Sequence, residues 1–142
     1  MYDANTIAKY IICYESEQLR AVSNLRLQKL LYFVQAQFLV SKKEPCFSDS
    51  IEAWDFGPVV PTVYHEYKIF GSSSIPTSIT MKDIFIDPYD RKIIESMLDN
   101  CAKYATSTLV GMTHRQRPWI EAYNRKIDNT ISNEAILAFF GG

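Results

Sequence analysis

The chain has few of the residues from which metal and catalytic sites are usually built. Its 142 residues include two histidines and three cysteines, and its formal net charge is −1. His65 and His114 have no second histidine or cysteine at ligand spacing, which argues against a zinc site. Cys13, Cys46 and Cys101 form no Cys-x-x-Cys pair, so neither a disulfide framework nor a metal site is expected. The sequence therefore predicts no metal and no cofactor.

Signals for nucleotide, nucleic-acid and membrane binding are also missing. There is no Gly-x-x-x-x-Gly-Lys-[Ser/Thr] phosphate loop, and Asp55-Phe56-Gly57 occurs without the other motifs of a protein kinase. A charge near zero provides no broad basic field for nucleic acid. No apolar run is long enough to span a bilayer, and the first residues do not resemble a signal peptide. We therefore expect a cytoplasmic protein that is not an enzyme and does not bind membranes, and nucleic acid is not its favoured partner.

The residues that are present have the composition of an ordinary globular domain. Hydrophobic residues make up 47% of the chain and charged residues 22%. This length is enough to bury one good core. The polar connection at Ser72–Ser74 does not separate two cores, because neither side alone has enough apolar residues. A single domain over residues 1–142 is predicted.

The strongest pattern in the sequence predicts a central helix that begins at Ser23 or Asn24. Ser and Asn are good N-caps, and the apolar residues that follow recur at helical spacing. These residues are Leu27, Leu30, Leu31, Val34 and Phe38. Phe33 extends the apolar surface to another side of the helix, so we expect other elements to pack around it on several sides.

Capping residues predict the other helices. Asp3 begins a helix that ends near residue 16, Asp87-Pro88 begins another, and Ser132 begins the last one. Shorter helices are expected over 61–70, over 107–113 and from Pro118 onwards. Helices should therefore form most of the domain.

The β signals are short. Residues 51–56 alternate weakly between apolar and polar and predict one strand, which Gly57-Pro58 should end in a turn. Residues 79–86 predict a second strand, which would pair with the first; its apolar residues are Ile79, Met81, Ile84 and Ile86. The predicted fold class is mainly α: a single compact helical domain with one or two short strands near 51–56 and 79–86.

Aromatic residues surround the Gly57-Pro58 corner. Trp54, Phe56 and Tyr64 either pack into the core there or form a contact surface, because aromatic residues also anchor protein interfaces. This is the one stretch of the sequence where aromatic density coincides with special backbone chemistry. It is the first candidate for a partner-binding surface.

A second candidate stretch begins at a predicted helix end. His114 is followed closely by Arg115, Arg117 and Trp119. His114 is interpreted in three ways: as a capping or buried residue beside a packed Trp119, as a partner-binding residue, or as a catalytic one. The sequence alone leaves these interpretations open.

Three stretches of the chain resemble the Panacea antitoxin domain, a phage-associated family that includes SocA-like and GepA-like proteins. Leu25–Phe33 resembles the family's Leu-x-Leu-Gln-Lys-Leu-Leu-Tyr-Phe helix. Glu52–Tyr64 resembles its Glu-Ala-Trp-x-x-Gly-Pro-Val-Val-Pro-x-Val-Tyr run, and Thr113–Trp119 resembles its Thr-His and Pro-Trp element. The three stretches occur in the family's order and span most of the chain.

The resemblance implies a mainly helical fold with a small sheet and an antitoxin that neutralises a toxin by direct binding. The implied partner is a cognate protein toxin encoded by an adjacent gene. An adaptor that delivers its toxin to a protease or chaperone, a small regulator that binds nucleic acid, and homo-oligomers stay as alternatives. The candidate partner-binding residues are Trp54, Phe56, Gly57, Pro58, Tyr64, His114, Arg115, Arg117 and Trp119.

Overall fold

The computed structural model describes residues 1–77 and 80–141, and its regular elements are mostly helical. In chain order they are α1 (Ala4–Glu17), α2 (Asn24–Lys42), β1 (Ile51–Trp54), β2 (Gly57–Val59), α3 (Pro61–Tyr67), a 3-10 turn (Lys68–Phe70), a second 3-10 turn (Met81–Asp83), α4 (Pro88–Cys101), α5 (Thr106–His114), α6 (Arg117–Tyr123), β3 (Thr130–Ile131) and α7 (Asn133–Gly141). The predicted fold class, mainly α with a small β element, is confirmed.

Helix α2 lies at the centre of the molecule, and side chains on nearly all its sides are buried. It packs against α1, α4, α5 and α7 and against strand β2. The Ser23 hydroxyl accepts a hydrogen bond from the Arg26 amide at 3.2 Å, and Lys43 ends the helix with a φ of +60°. All five apolar residues of the predicted stripe are buried. The sequence therefore predicted both the position and the multiple packing of this helix.

The caps of the other long helices also follow the sequence. The Asp3 carboxylate accepts from the Thr6 amide at 2.8 Å, and the Asp87 carboxylate accepts from the Tyr89 amide at 2.9 Å. The Ser132 hydroxyl accepts from the Ala135 amide at 3.0 Å. Each bond satisfies an amide that has no partner inside its own helix. None of the helices in the described part of the chain is long and apolar enough to cross a membrane.

The sheet has the strand order β2-β1-β3, and both pairings are antiparallel. Trp54 pairs with Gly57 across a tight turn at Asp55-Phe56, and Ile51 pairs with Ile131 on the other side. The predicted turn at Gly57-Pro58 is wrong, because both residues belong to β2. Gly57 has a φ of +107°, which a glycine adopts without strain, so it lets the chain enter β2 directly after the turn.

The predicted second strand near 79–86 is also wrong for the residues that the structure describes. Ile79 lies outside the described residues, and Met81 belongs to a 3-10 turn. Ile84 and Ile86 are buried in the main core without joining the sheet. The strand that pairs with β1 on that side is instead β3, whose two residues are too few to show a period in the sequence.

Candidate functional site

Polar side chains of α2 form hydrogen bonds with the backbone of β2 and of the residue that follows it. The Gln28 side-chain oxygen accepts from the Val60 amide at 2.9 Å, and the Lys29 ammonium group donates to the Pro58 carbonyl at 2.7 Å. Asn24 supports Gln28 by accepting a bond from its amide group at 2.9 Å. Since these groups are buried, each bond satisfies a backbone group that water cannot reach.

Lys29 is the most unusual member of this set because its side chain is completely buried. Removal from water disfavours the charged form and lowers the pKa of Lys29 to about 7, from 10.5 for an exposed lysine. Its bond to the Pro58 carbonyl fits either protonation state, because an amine and an ammonium group both donate. Lys29 therefore fixes the start of β2 and does not face the solvent.

Gly57 lies directly against this lysine. A side-chain Cβ at position 57 would come within 2.7 Å of the Lys29 Cε and 2.8 Å of the Thr113 Oγ1. The backbone of β2 therefore packs on α2 and α5 at a distance that only glycine allows. Position 57 therefore requires glycine for two reasons, its positive φ and its close packing.

Residues of α5 and α6 hold the turn of the hairpin from the opposite side. The Trp119 indole donates to the Trp54 carbonyl at 2.9 Å, and the His114 Nε2 lies 2.9 Å from the Asp55 carbonyl. The Tyr123 hydroxyl donates to the Asp55 carboxylate, and this bond raises the pKa of Tyr123. The Trp119 ring stacks on the Tyr123 ring at a centroid distance of 4.5 Å, and the His114 ring packs on the Trp119 ring at 4.3 Å with a tilt of 40°. The turn is thus fixed on both sides.

An open groove of about 900 Å³ lies beside this turn. It runs between the start of α2, the hairpin, the end of α3 and the loop of residues 124–129, which we call the basic loop. Its lining includes Asn24, Leu25, Gln28, Ala53, Trp54, Asp55, Phe56, Val59, Tyr64, Lys68, Gly71, Ser72, Tyr123, Arg125, Lys126, Ile127 and Asn129. We call this feature the groove.

Large apolar side chains stand exposed at the groove. Phe56 is 66% exposed, Ile127 is 100% exposed and Leu25 is 37% exposed. Trp54 and Tyr64 are half-buried and meet edge to face, with ring centroids 5.0 Å apart. Apolar groups that protrude from a rimmed groove are a mark of interaction surfaces.

The basic loop is held in a defined shape by its own hydrogen bonds. The Arg125 guanidinium donates to the Asp128 carbonyl at 2.8 Å and also to the Thr130 carbonyl. Asn129 bonds Ala53 of β1 through both its backbone carbonyl, at 2.9 Å, and its side chain, at 3.2 Å. Ile127 therefore projects from a loop whose backbone is held in place by hydrogen bonds.

Five of the predicted partner-binding residues meet at the hairpin turn. They are Trp54, Phe56, Tyr64, His114 and Trp119. Gly57 and Pro58 are buried beneath the turn, so they shape it without offering a side chain to a partner. Arg115 and Arg117 are exposed but do not line the groove, and Arg117 pairs with Glu121 at 3.0 Å.

Sequence reasoning missed the part of the groove that the basic loop and the start of α2 contribute. Leu25, Lys68, Arg125, Lys126 and Ile127 all line it. The one signal that pointed to the loop is its sequence, in which two basic residues precede an isoleucine that belongs to no helical stripe. That signal does not reveal that the loop lies beside the hairpin.

The described histidine and cysteine side chains lie outside the groove lining. In residues 1–77 and 80–141, no three His, Cys, Asp or Glu side chains cluster as metal ligands would. The thiols of Cys46 and Cys101 are buried, which raises their pKa and makes them poor nucleophiles. His114 is not part of the groove lining and faces a backbone carbonyl. His65 is exposed, as expected for a residue without a site.

The three stretches that resemble the Panacea domain are in direct contact. Gln28 and Lys29 of the first stretch bond Val60 and Pro58 of the second. The Tyr32 hydroxyl of the first donates to the Gln116 side chain of the third at 2.8 Å, in a buried bond. The resemblance therefore corresponds to one physical unit: α2 with the backbone segments that it holds.

Comparisons with known proteins identify the same family. The family model described as "Antitoxin SocA-like, Panacea domain" matches residues 27–120. The chain is also 35% identical to antitoxin SocA of Caulobacter vibrioides strain NA1000, over 82% of this chain and 68% of that protein. No solved structure matches. The chain belongs to the SocA-like Panacea antitoxin family.

Proposed function

We propose that this protein is a cytoplasmic antitoxin that neutralises a cognate protein toxin by binding it directly. Membership of the SocA-like family supports the antitoxin role, and the similar protein of Caulobacter vibrioides is itself named as an antitoxin. The groove supports the binding mode, since it gathers exposed apolar side chains on a fixed frame. The protein then acts by covering its toxin and needs no reaction of its own.

The observation that carries this proposal is the exposure of Phe56 and Ile127 at one groove. Both residues belong to short connections that hydrogen bonds hold in place. Polar residues at these exposed positions would not reduce the stability of the domain, so stability does not explain why Phe56 and Ile127 are apolar. Exposed anchors on a rigid frame are what a tight protein interface requires.

The expected interface is of standard size, about 1,600 Å² in total, of which a few anchors supply most of the affinity. Phe56, Ile127, Trp54 and Tyr64 are the proposed anchors. His114 and Trp119 contribute by holding the turn, because both bond its backbone carbonyls. Binding therefore depends on the accessible side chains and on the frame beneath them.

Expression of the protein encoded by the adjacent gene tests this proposal. That protein should arrest growth when expressed alone and should become harmless when this antitoxin is coexpressed. The two purified proteins should form a stoichiometric complex in size-exclusion chromatography, and toxin activity in vitro should fall to zero at a 1:1 ratio. If the adjacent product is harmless alone, or stays toxic beside folded antitoxin, the proposed function is wrong.

A further inference from the structure

The groove carries a local charge opposite in sign to that of the whole chain. Lys68, Arg125 and Lys126 line it, against a single lining carboxylate, that of Asp55. This carboxylate already accepts a hydrogen bond from the Tyr123 hydroxyl. The formal net charge of the chain is −1, so the positive balance of the groove is a local feature.

Glu52 and Asp128, which adjoin groove-lining residues in the chain, accept hydrogen bonds from neutral groups. Glu52 accepts a bond from the Trp54 indole at 2.9 Å. Asp128 accepts from the Thr130 amide at 2.9 Å, and bonds from Thr130 lower the pKa of Asp128 and keep it ionised. On the neighbouring helix α3, His65 and Glu66 are exposed. Among residues 1–77 and 80–141, neither the Lys68 nor the Lys126 ammonium group forms an ion pair with a carboxylate, so both are available for a negatively charged partner.

Apolar and basic side chains line the same groove. Phe56 and Ile127 are among its most exposed side chains, and Ile127 directly follows Lys126 in the chain. A partner that fills the groove must therefore offer apolar surface and negative charge within a few residues of one another. Charge complementarity of this kind speeds association and excludes partners of the wrong sign.

We propose that the groove receives a short acidic segment of the partner protein, with a bulky apolar side chain seated against Phe56 and Ile127. This inference rests on the proposed function and names the chemistry of the toxin surface that is bound. A second copy of this chain is a poor occupant, because a two-fold contact would oppose two basic grooves. Nucleic acid is also a poor occupant, since exposed aliphatic groups such as Ile127 contribute nothing to phosphate binding.

Selection from a displayed library of random 12-residue peptides tests the inference without any knowledge of the toxin. Peptides that bind the purified protein should be enriched in Asp and Glu placed near Leu, Phe or Trp. Their affinity should fall at least tenfold in the Lys126→Glu variant and should weaken as salt is raised from 0.05 to 0.5 M. Ile127→Ser should weaken the same peptides while leaving the salt dependence unchanged.

Lys92→Glu is the matched control, because Lys92 is an exposed lysine on α4 outside the groove. It makes the same change in net charge and should alter peptide affinity less than twofold. Circular dichroism should show that all three variants are folded. Selected peptides that are neutral or basic, or that bind Lys126→Glu as well as the parent protein, would overturn the inference. Displacement of the peptides by a 20-nucleotide RNA at equal concentration would overturn it in favour of nucleic acid.

The toxin itself gives a second readout that separates the two proposals. If the toxin binds the parent protein but binds Lys126→Glu and Ile127→Ser equally well, the antitoxin works through another surface and only this inference fails. If the toxin does not bind at all while acidic peptides do, the groove is a binding site but the proposed function fails.

Discussion

The inner side of the β1–β2 hairpin and its outer tip have opposite physical character. On the inner side, Gln28 and Lys29 are buried and bond backbone groups of the hairpin at 2.9 and 2.7 Å. At the outer tip, Phe56 is mostly exposed and Ile127 of the adjacent basic loop is fully exposed. Polar groups thus lie where water is excluded, and apolar groups lie where water has access.

This difference separates the residues that maintain the fold from those proposed to contact a partner. The inner residues fall within residues 27–120, which the family model matches, whereas Lys126 and Ile127 fall outside that range. We propose that a motif residue such as Lys29 maintains the frame without contacting the toxin. Substitutions on the inner side should lower the stability, and substitutions at the outer tip should weaken binding of the toxin.

The largest loss of stability is expected for Gly57→Ala. The new Cβ would meet the Lys29 Cε at 2.7 Å and the Thr113 Oγ1 at 2.8 Å, at a φ of +107°. Strain and overpacking together should lower the free energy of unfolding by about 3 kcal/mol or more. Urea denaturation measures the change.

Gly71→Ala is the control for this substitution, because Gly71 also has a positive φ but nothing lies within 4 Å of its added Cβ. It should cost only the backbone strain, about 1–3 kcal/mol. Equal losses in the two variants would contradict the close packing of Gly57 on Lys29.

The next largest effect is a pH dependence that comes from Lys29. Its pKa is about 7 in the folded protein and near 10.5 in the unfolded chain, so the unfolded chain binds more protons between these values. The free energy of unfolding should therefore rise with pH in this interval, by about 1.5 kcal/mol from pH 7 to 8.5. Urea denaturation at both pH values gives the change in the free energy of unfolding for the parent protein and for Lys29→Met. The difference between the two changes is the contribution of Lys29.

The comparison stops at pH 8.5 because burial also raises the pKa of Cys46 and Cys101 from 9.0, and these thiols reduce stability at higher pH. Lys29→Met lacks the titrating group and should lose the rise with pH. An identical rise in Lys29→Met would show that the ammonium group of Lys29 is not the cause.

Trp119→Phe tests whether a contact that holds the turn affects toxin binding as well as stability. The substitution removes the indole bond to the Trp54 carbonyl and should lower the free energy of unfolding by about 1 kcal/mol. Because that carbonyl directly precedes the turn, toxin affinity should also fall, although Trp119 contacts no partner in our proposal. Calorimetric titration with the toxin and urea denaturation measure the two effects. A loss of stability with full affinity would show that the turn keeps its shape without this bond.

The smallest effect on stability is expected for Phe56→Ser, since this side chain is 66% exposed. The free energy of unfolding should change by less than about 0.5 kcal/mol, while protection against the toxin should be lost. Phe85→Ser is the matched control, because Phe85 is 88% exposed and does not line the groove. Retained protection in Phe56→Ser, or equal loss in both variants, would remove Phe56 from the interface.

Local patterns predicted the helices well because their signals lie within a few residues. The stripe from Leu27 to Phe38 and the caps Asp3 and Ser132 are examples. The sheet was harder, because β1 is completed by two residues nearly eighty positions away in the chain, Thr130 and Ile131. Ile84 and Ile86 have the apolar character of a strand but pack into the core without joining the sheet.

The groove could be predicted only in part for a related reason. Trp54, Phe56 and Tyr64 are close in sequence, so their aromatic character pointed to the hairpin corner before its structure was known. Lys126 and Ile127 lie at the same groove because Asn129 bonds Ala53 and β3 pairs with β1, contacts that are distant in sequence. The burial of Lys29 was likewise not evident, because lysine is rarely enclosed and its acceptor is a backbone carbonyl.

Hydrogen exchange of the antitoxin with and without its toxin would show which surface the toxin covers. Exchange should be slower in the complex over residues 53–57 and 124–129, with little change on the exposed face of α4. Protection confined to α4, or to any surface away from the hairpin and the basic loop, would contradict the assignment of the groove as the surface that neutralises the toxin.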